Sequence, residues 1–218
     1  MINTIIFDLD GTLLNTLEDL KLSTNYALKT FNYPERTLDE VRNFVGNGVS
    51  KLIERAIPHG KANPDFEACL KCFKEHYANT LQAHTVPYDG IIEMLTKLKN
   101  NGWKIAVVSN KFDIAVKDLC KRYFNDLIHI AIGESEQTKP KPAPDGVFKA
   151  ILELNSTVAN AVYSGDSDVD VQTAHNAGLK CIGVTWGFRD INILNNAGAD
   201  YIIDKPEEIF DILNKLNS

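Results

Sequence analysis

Six short runs rich in Ile and Val recur along the chain, at residues 4–7, 104–108, 128–132, 161–163, 181–184 and 201–203. Such continuous apolar runs read as strands buried on both faces. Between the later runs lie stretches of helical periodicity at 91–100, 114–123, 146–154, 169–176 and 207–216. Strand alternating with helix predicts an α/β fold built on a doubly wound, Rossmann-like parallel sheet. One connection breaks the alternation. More than ninety residues separate the first run from the second, against roughly a dozen for an ordinary crossover.

The intervening sequence is helical in pattern, with amphipathic runs at 17–29, 38–45, 49–57 and 66–81. Asn15 and Glu18 are spaced as a capping box ahead of the first of them. The expectation is therefore an α/β core of residues 1–14 and 86–218 carrying an inserted helical cap of residues 15–85. The chain would cross between them near 13–16 and 84–87. With 218 residues, 44% of them hydrophobic, there is enough apolar material for one large core and a smaller second one.

Composition narrows the partners. A formal net charge of −6 without a clustered basic stripe argues against nucleic acid, whose binding draws on Lys and Arg to neutralise phosphates. No apolar run approaches the roughly 20 residues that span a bilayer. The N-terminal run is interrupted by Asp8 and Asp10, which argues against a signal peptide. Four cysteines are few for a chain that can build its own core, which fits a reducing cytoplasm. Cys69, Cys72 and His76 share a helical spacing, yet no second ligand pair with zinc-site spacing accompanies them, and a packed helix is the simpler reading. The expected partner is a small molecule, bound by a monomer or homodimer.

The strand ends are polar. The first runs into Asp8-Leu9-Asp10-Gly11-Thr12, the second into Ser109-Asn110-Lys111, and a later one into Gly165-Asp166-Ser167-Asp168-Val169-Asp170. Lys139-Pro140-Lys141-Pro142-Ala143-Pro144 lies between the last two. Ligands of open parallel sheets bind beyond the carboxyl ends of the strands, where loops diverge and helix N-termini present N–H groups. Any one cluster could be an ordinary turn or cap. Four at the same end of one sheet read as a single site.

The residue types suit phosphoryl transfer. Asp8 can attack phosphorus, but two anions must then approach, so a divalent cation is needed to offset their repulsion. Oxygen-only ligands suit Mg2+, and Asp8, the backbone carbonyl of Asp10 and Asp166 can provide them. Asp10 can protonate the leaving oxygen and later deprotonate the attacking water. Thr12, Ser109 and nearby N–H groups, that of Asn110 among them, can hold phosphate oxygens. Lys141 can neutralise charge on phosphate and nucleophile, and Gly11 can let the backbone pass close to the phosphate.

At these residues the chain resembles the haloacid dehalogenase-like hydrolase superfamily. The motifs at Asp8, Ser109, Lys141 and Gly165 to Asp170 stand in that family's order, and the insert after the first resembles its first cap class. The resemblance implies that Asp8 is the nucleophile, Asp10 the acid and base, and Lys141 the charge-neutralising lysine in preference to Lys139. It further implies that Asp8, Asp10 and Asp166 bind magnesium, with Asp170 behind them or beside Lys141. Within the superfamily, 44–48, 109–111 and 184–189 look like phosphoglycolate phosphatases. Tyr88-Asp89-Gly90 and Asn15 depart from their usual residues.

The implied activity is hydrolysis of a small phosphate monoester, 2-phosphoglycolate foremost, through an aspartyl phosphate. The alternatives are a β-phosphoglucomutase-like phosphomutase, a broad sugar-phosphate phosphatase, or a non-enzymatic phospho-acceptor module. Substrate selection would fall to the turn Gly46-Asn47-Gly48, which opens a helix and is flanked by Arg42 and Lys51. His175 reads as a helix-surface residue, and Trp186 and Phe188 as cleft lining or sheet-edge packing in equal measure.

Overall fold

The computed structural model describes residues 1–80 and 83–218. The chain forms two compact units, Met1–Leu14 with Pro87–Ser218, and Asn15–Val86. In the first, strands β1 (Thr4–Phe7), β2 (Lys104–Phe112), β3 (Ile130–Glu134), β4 (Ala161–Gly165), β5 (Cys181–Val184) and β6 (Tyr201–Ile203) form one sheet. Its order is β3-β2-β1-β4-β5-β6, with every pairing parallel. β1 lies between β2 and β4, so its end is surrounded by theirs.

Strand periodicity divides the core. On one face Ile5, Phe7, Ile105, Val107, Val162 and Ile182 join apolar residues of helices Ile91–Asn100, Asp113–Phe124 and Ile209–Asn217. On the other face Ile6, Ala106, Val108, Ile132 and Tyr163 meet helices Asp145–Glu153 and Asp168–Asn176, with Leu194 of Ile191–Ala197. Adjacent residues such as Ile5 and Ile6 thus point into different layers, as a two-residue repeat requires. Each fully buried Ile, Val or Phe stabilises the sheet by about 1.5–3 kcal/mol relative to exposure, which makes β1 a stiff base for the polar residues at its carboxyl end.

Three strands differ from expectation at their ends, β4 running on to Gly165 rather than 163. β2 runs on through the polar Ser109-Asn110-Lys111 to Phe112, with a register shift against β3 between Val108 and Phe112. β3 begins at Ile130 rather than 128 because the Ile105 N–H donates to His129 Nδ1 (3.1 Å), a side chain occupying the place of a ladder carbonyl.

The second unit contains helices α1 (Leu17–Thr30), α2 (Leu38–Phe44), α3 (Val49–Ala56) and α4 (Phe66–Asn79). Residue 81, the expected end of α4, lies outside the described residues. Leu20, Ala27, Leu28, Val41, Ile53 and Phe73 are buried between them. The capping box expected from Asn15 and Glu18 does not form. Thr16 is the N-cap and makes no side-chain cap bond; Asn15 Oδ1 sits one residue too early and accepts from Leu17 N at 3.4 Å, while Glu18 pairs with Lys21. Reciprocal boxes occur instead at Thr37/Glu40 and Ser167/Asp170.

Among the described residues no helix is long and apolar enough to cross a membrane. All four cysteines are free. His76 stacks on Tyr26 and hydrogen-bonds Ser23.

Candidate active site

The end of β1 turns two carboxylates out of a buried strand. Asp8 still belongs to the sheet, its N–H donating to Ser164 O of β4 at 2.9 Å. Its carboxylate faces Lys141, whose Nζ lies 2.8 Å from Asp8 Oδ1 and 2.6 Å from Asp170 Oδ1. Tyr163, fully buried on β4, sets its hydroxyl 3.3 Å from Lys141 Nζ and 3.2 Å from Asp170 Oδ1. The other Asp170 oxygen accepts from Ser167 N (3.1 Å) and Ser167 Oγ (2.6 Å). The capping box that starts helix Asp168–Asn176 therefore also aims the carboxylate that braces Lys141. Lys139 is exposed.

Asp166, at the end of β4, is held by two donors. Thr12 Oγ1 donates to Oδ1 at 3.0 Å and the backbone N–H of Phe188 to Oδ2 at 2.8 Å. Trp186 Nε1 donates to Thr12 O at 2.9 Å and closes this bracket. Gly11, at φ +92°, passes so near that an added Cβ would lie 2.5 Å from Asp166 Oδ2. A side chain there would meet both backbone strain and a carboxylate.

Asp8, Asp166 and Asp170 each offer an oxygen within 4.8 Å of the others. Burial, followed by the neighbouring carboxylates, raises Asp8 well above the ordinary range even with Lys141 beside it. Burial and Asp170 push Asp166 up to about 7. Lys141 is raised well above a normal lysine, because Asp170 and Asp8 outweigh the cost of burying its charge. Three carboxylates against one ammonium leave two negative charges when all are ionised. An oxygen-only pocket with that deficit fits a hard divalent cation. Each Asp170 oxygen already accepts two bonds, from Lys141 and Tyr163 or from the Ser167 N–H and hydroxyl, whereas each Asp166 oxygen accepts one, so Asp8 and Asp166 keep more lone pairs for such a cation.

Several sequence-predicted residues make contacts within the protein. The Thr12 hydroxyl is engaged with Asp166 instead of standing open to phosphate. The Asn110 side chain clasps the backbone of Lys141, accepting from its N–H at 2.6 Å and donating to its carbonyl at 3.1 Å. Gly11 is crowded by Asp166, so protein contact already accounts for its missing side chain. Ser109 Oγ accepts from Lys111 N at 3.3 Å. Trp186 and the Phe188 backbone support the site from the loop after β5. His175 is partly exposed and pairs with Asp200.

Arg42, Gly46, Asn47 and Gly48 belong to the helical unit. Gly48 caps α3 at φ 81°, Arg42 pairs with Asp39 and Lys51 with Glu54. Arg55, absent from the motif reading, donates to Phe44 O and Asn47 Oδ1 and braces the turn. Tyr163 was hidden because an aromatic in an apolar strand reads as core. Lys111 has no role in the sequence reading, where its place two residues beyond Ser109 was the available signal; its ammonium reaches both oxygens of Asp10, at 2.9 and 3.0 Å.

The sequence pattern of the haloacid dehalogenase-like hydrolases matches residues 5–184. A phosphoglycolate phosphatase of Colwellia psychrerythraea is 33% identical over 220 residues, covering 97% of this chain and 94% of its own. One from Aquifex aeolicus is 30% identical over 210 residues, with 96% and 95% covered. A Lactobacillus delbrueckii subsp. bulgaricus crystal structure, provisionally named as a phosphoglycolate phosphatase, superposes with a TM-score of 0.91 at 34% identity, covering 95% of this chain and 96% of that one. With the motifs assembled at one end of the sheet, the chain belongs to the haloacid dehalogenase-like hydrolase family, among its phosphoglycolate phosphatase-like phosphoric monoester hydrolases.

Proposed function

We propose that the chain hydrolyses a small phosphate monoester, 2-phosphoglycolate foremost, with magnesium and through a phosphate ester of Asp8. The observation that carries this reading is the buried grouping of Asp8, Asp166 and Asp170 around Lys141. It combines a carboxylate nucleophile with an anionic oxygen pocket and a fixed ammonium. Bound by Asp8, Asp166 and the backbone carbonyl of Asp10, magnesium would screen the repulsion between phosphate and nucleophile.

In the first step an Asp8 oxygen bonds to phosphorus, and the ester oxygen departs with the P–O electron pair and takes a proton from Asp10. In the second, water attacks phosphorus and gives its proton to Asp10, while the Asp8–phosphorus bond breaks and frees the carboxylate. One ester and one water become one alcohol and one phosphate. Lys141 stays between Asp8 and Asp170 throughout and balances charge on the transferring group. The relatives' names favour 2-phosphoglycolate, and the turn at Gly46 to Gly48 is the element assigned to meet its carboxylate. Four free cysteines support a cytoplasmic setting.

The decisive test is phosphate release from a panel of small phosphate esters with magnesium or with chelator. The proposal expects metal-dependent turnover with a preference for phosphoglycolate. Preference for a sugar phosphate would move the substrate assignment, and turnover undiminished by chelation would remove the metal.

A further inference from the structure

Lys111 has no part in the chemistry of Asp8, Asp10 and Lys141, yet it is built into the site. It lies on β2, the hydrogen-bonded neighbour of β1, and its side chain is 5% exposed. Burying an ammonium costs several kcal/mol unless a partner compensates. The partner here is the Asp10 carboxylate, met at both oxygens with near-equal distances of 2.9 and 3.0 Å. Among the described residues Lys111 is the side chain that hydrogen-bonds this carboxylate. The two residues are 101 positions apart in sequence, so the contact is made by the sheet and not by local chain geometry.

Parallel pairing makes the contact reachable. Thr4 to Phe7 register with Lys104 to Val107, which sets the loop after β1 beside the polar end of β2. Asp10 lies in the turn after β1, bridged to Leu14, while Lys111 stands on a strand whose residues Val107 and Val108 belong to the core. The lysine therefore reaches the Asp10 carboxylate from the neighbouring strand of the sheet. A proton-transfer group delivers its effect only when held within hydrogen-bond reach of the reacting oxygen, and a displacement of about 1 Å can cost roughly a hundredfold.

We propose that Lys111 is a positioning residue: its ammonium holds the ionised Asp10 carboxylate at both oxygens and stays on one of them when the other carries the proton, so that Asp10 is aimed for both proton transfers. The inference rests on the proposed acid–base role of Asp10. Two other roles for a buried lysine here make different predictions. A lysine that binds the substrate's distal anion would govern KM for phosphoglycolate, and one that only fills the strand end would govern stability.

The test compares Lys111→Met, Lys111→Arg and Asp10→Asn in the magnesium-loaded full chain. The substrates are phosphoglycolate, with a poor alkoxide leaving group, and 4-nitrophenyl phosphate, whose leaving group departs without a proton. Lys111→Met should lower kcat for phosphoglycolate by about 10- to 100-fold with KM changed by less than about threefold. The first-turnover burst of nitrophenolate should change by less than about threefold. Phosphorylated chain should accumulate in intact-mass spectra, because water attack also needs Asp10. Lys111→Arg should recover most of the lost kcat.

A rise in KM with kcat retained would overturn the proposal in favour of substrate binding. Equal losses in the first-turnover release of both leaving groups, with a lowered melting temperature, would overturn it in favour of a structural lysine. If Lys111→Met does not fold, Lys111→Gln keeps a donor amide and should show the same split at smaller size; a split absent from the glutamine variant counts against the proposal. Asp10→Asn separates the two levels. If it too spares phosphoglycolate turnover, the acid–base reading of Asp10 fails; if it shows the split and the lysine variants do not, the positioning inference alone fails.

Discussion

The side-chain amide of Asn110 closes on the backbone of Lys141 from both directions, its oxygen 2.6 Å from the lysine N–H and its nitrogen 3.1 Å from the lysine carbonyl. A loop residue is thereby tied to a strand residue, and the ammonium between Asp8 and Asp170 inherits the rigidity of β2. Asn110→Ala would leave two buried backbone groups of Lys141 without these partners, at a cost of about 1–3 kcal/mol each at most. We expect a lower melting temperature and a fall of about tenfold in kcat, with KM nearly unchanged. A change confined to KM would return Asn110 to direct phosphate contact.

Asp8→Asn should separate chemistry from folding. The variant retains the shape of the side chain but removes the attacking charge, so phosphate release should fall by several powers of ten. Asp8 is crowded by burial, Asp170 and Asp166, and losing one of three like charges relieves that crowding. The metal-free variant should therefore melt no lower than the wild type. Activity within about tenfold of wild type would remove Asp8 from the nucleophile's role.

The carboxylate pocket also predicts how stability depends on pH. Asp166 is pushed up to about 7 by burial and by Asp170, from an ordinary 3.8. The folded chain then holds a proton that the unfolded chain has released between those values. Stability contributed by this group is highest below about pH 4, falls as pH rises to about 7 and is level above, a change of a few kcal/mol. Asp113 and Asp200 are lowered, so their contributions are lost only on the acid side of the ordinary carboxylate range. Thermal melting of metal-free protein should decline from pH 5 to 8, and added Mg2+ should raise the melting temperature more at pH 8 than at pH 5. A magnesium effect independent of pH would count against binding at these carboxylates.

How much could be read beforehand depended on whether a residue's partner was local. β5 and β6 are continuous apolar runs because both faces are covered, and their limits agree with 181–184 and 201–203. The end of β2 was hidden because Ser109, Asn110 and Lys111 are polar yet buried, and sequence periodicity assigns such residues to loops. The aspartates stood out as carboxylates at strand ends, and Lys141 by the Pro142-Ala143-Pro144 run that follows it. The protein contacts of the Thr12 hydroxyl and the Asn110 side chain were not legible, because a hydroxyl or amide beside a polar site has several suitable partners. Only the fold brings Asp166 to one and the Lys141 backbone to the other.

Tyr163 tests whether support beneath the site matters. Its hydroxyl lies within 3.3 Å of both Lys141 Nζ and Asp170 Oδ1, and Tyr163→Phe removes it while preserving the ring's packing. The buried ammonium would lose one of its oxygen neighbours, so kcat should fall by about 3- to 10-fold with little change in KM. Unaltered kcat would make Tyr163 a packing residue alone.

The turn in the helical unit carries the substrate prediction. A molecule as small as phosphoglycolate has few atoms beyond its phosphate, so discrimination must come from whatever meets its carboxylate. Gly48 caps the eight-residue helix α3 at φ 81°, where the first N–H groups and the helix dipole favour an anion. The bland reading is a helix corner, and Arg55 gives it substance by tying Phe44 O to Asn47 Oδ1. The two readings assign different jobs to neighbouring cations. If the turn selects substrate, Arg42→Ala should lower kcat/KM for phosphoglycolate by about 10- to 100-fold, or about 1.4–2.7 kcal/mol, and leave 4-nitrophenyl phosphate nearly unchanged. Arg55→Ala should lower the melting temperature and reduce both activities together, because it removes the brace and not a substrate contact. Equal losses on both substrates from Arg42→Ala would make the turn a folding element, and selection of the carboxylate would have to be sought elsewhere in the chain.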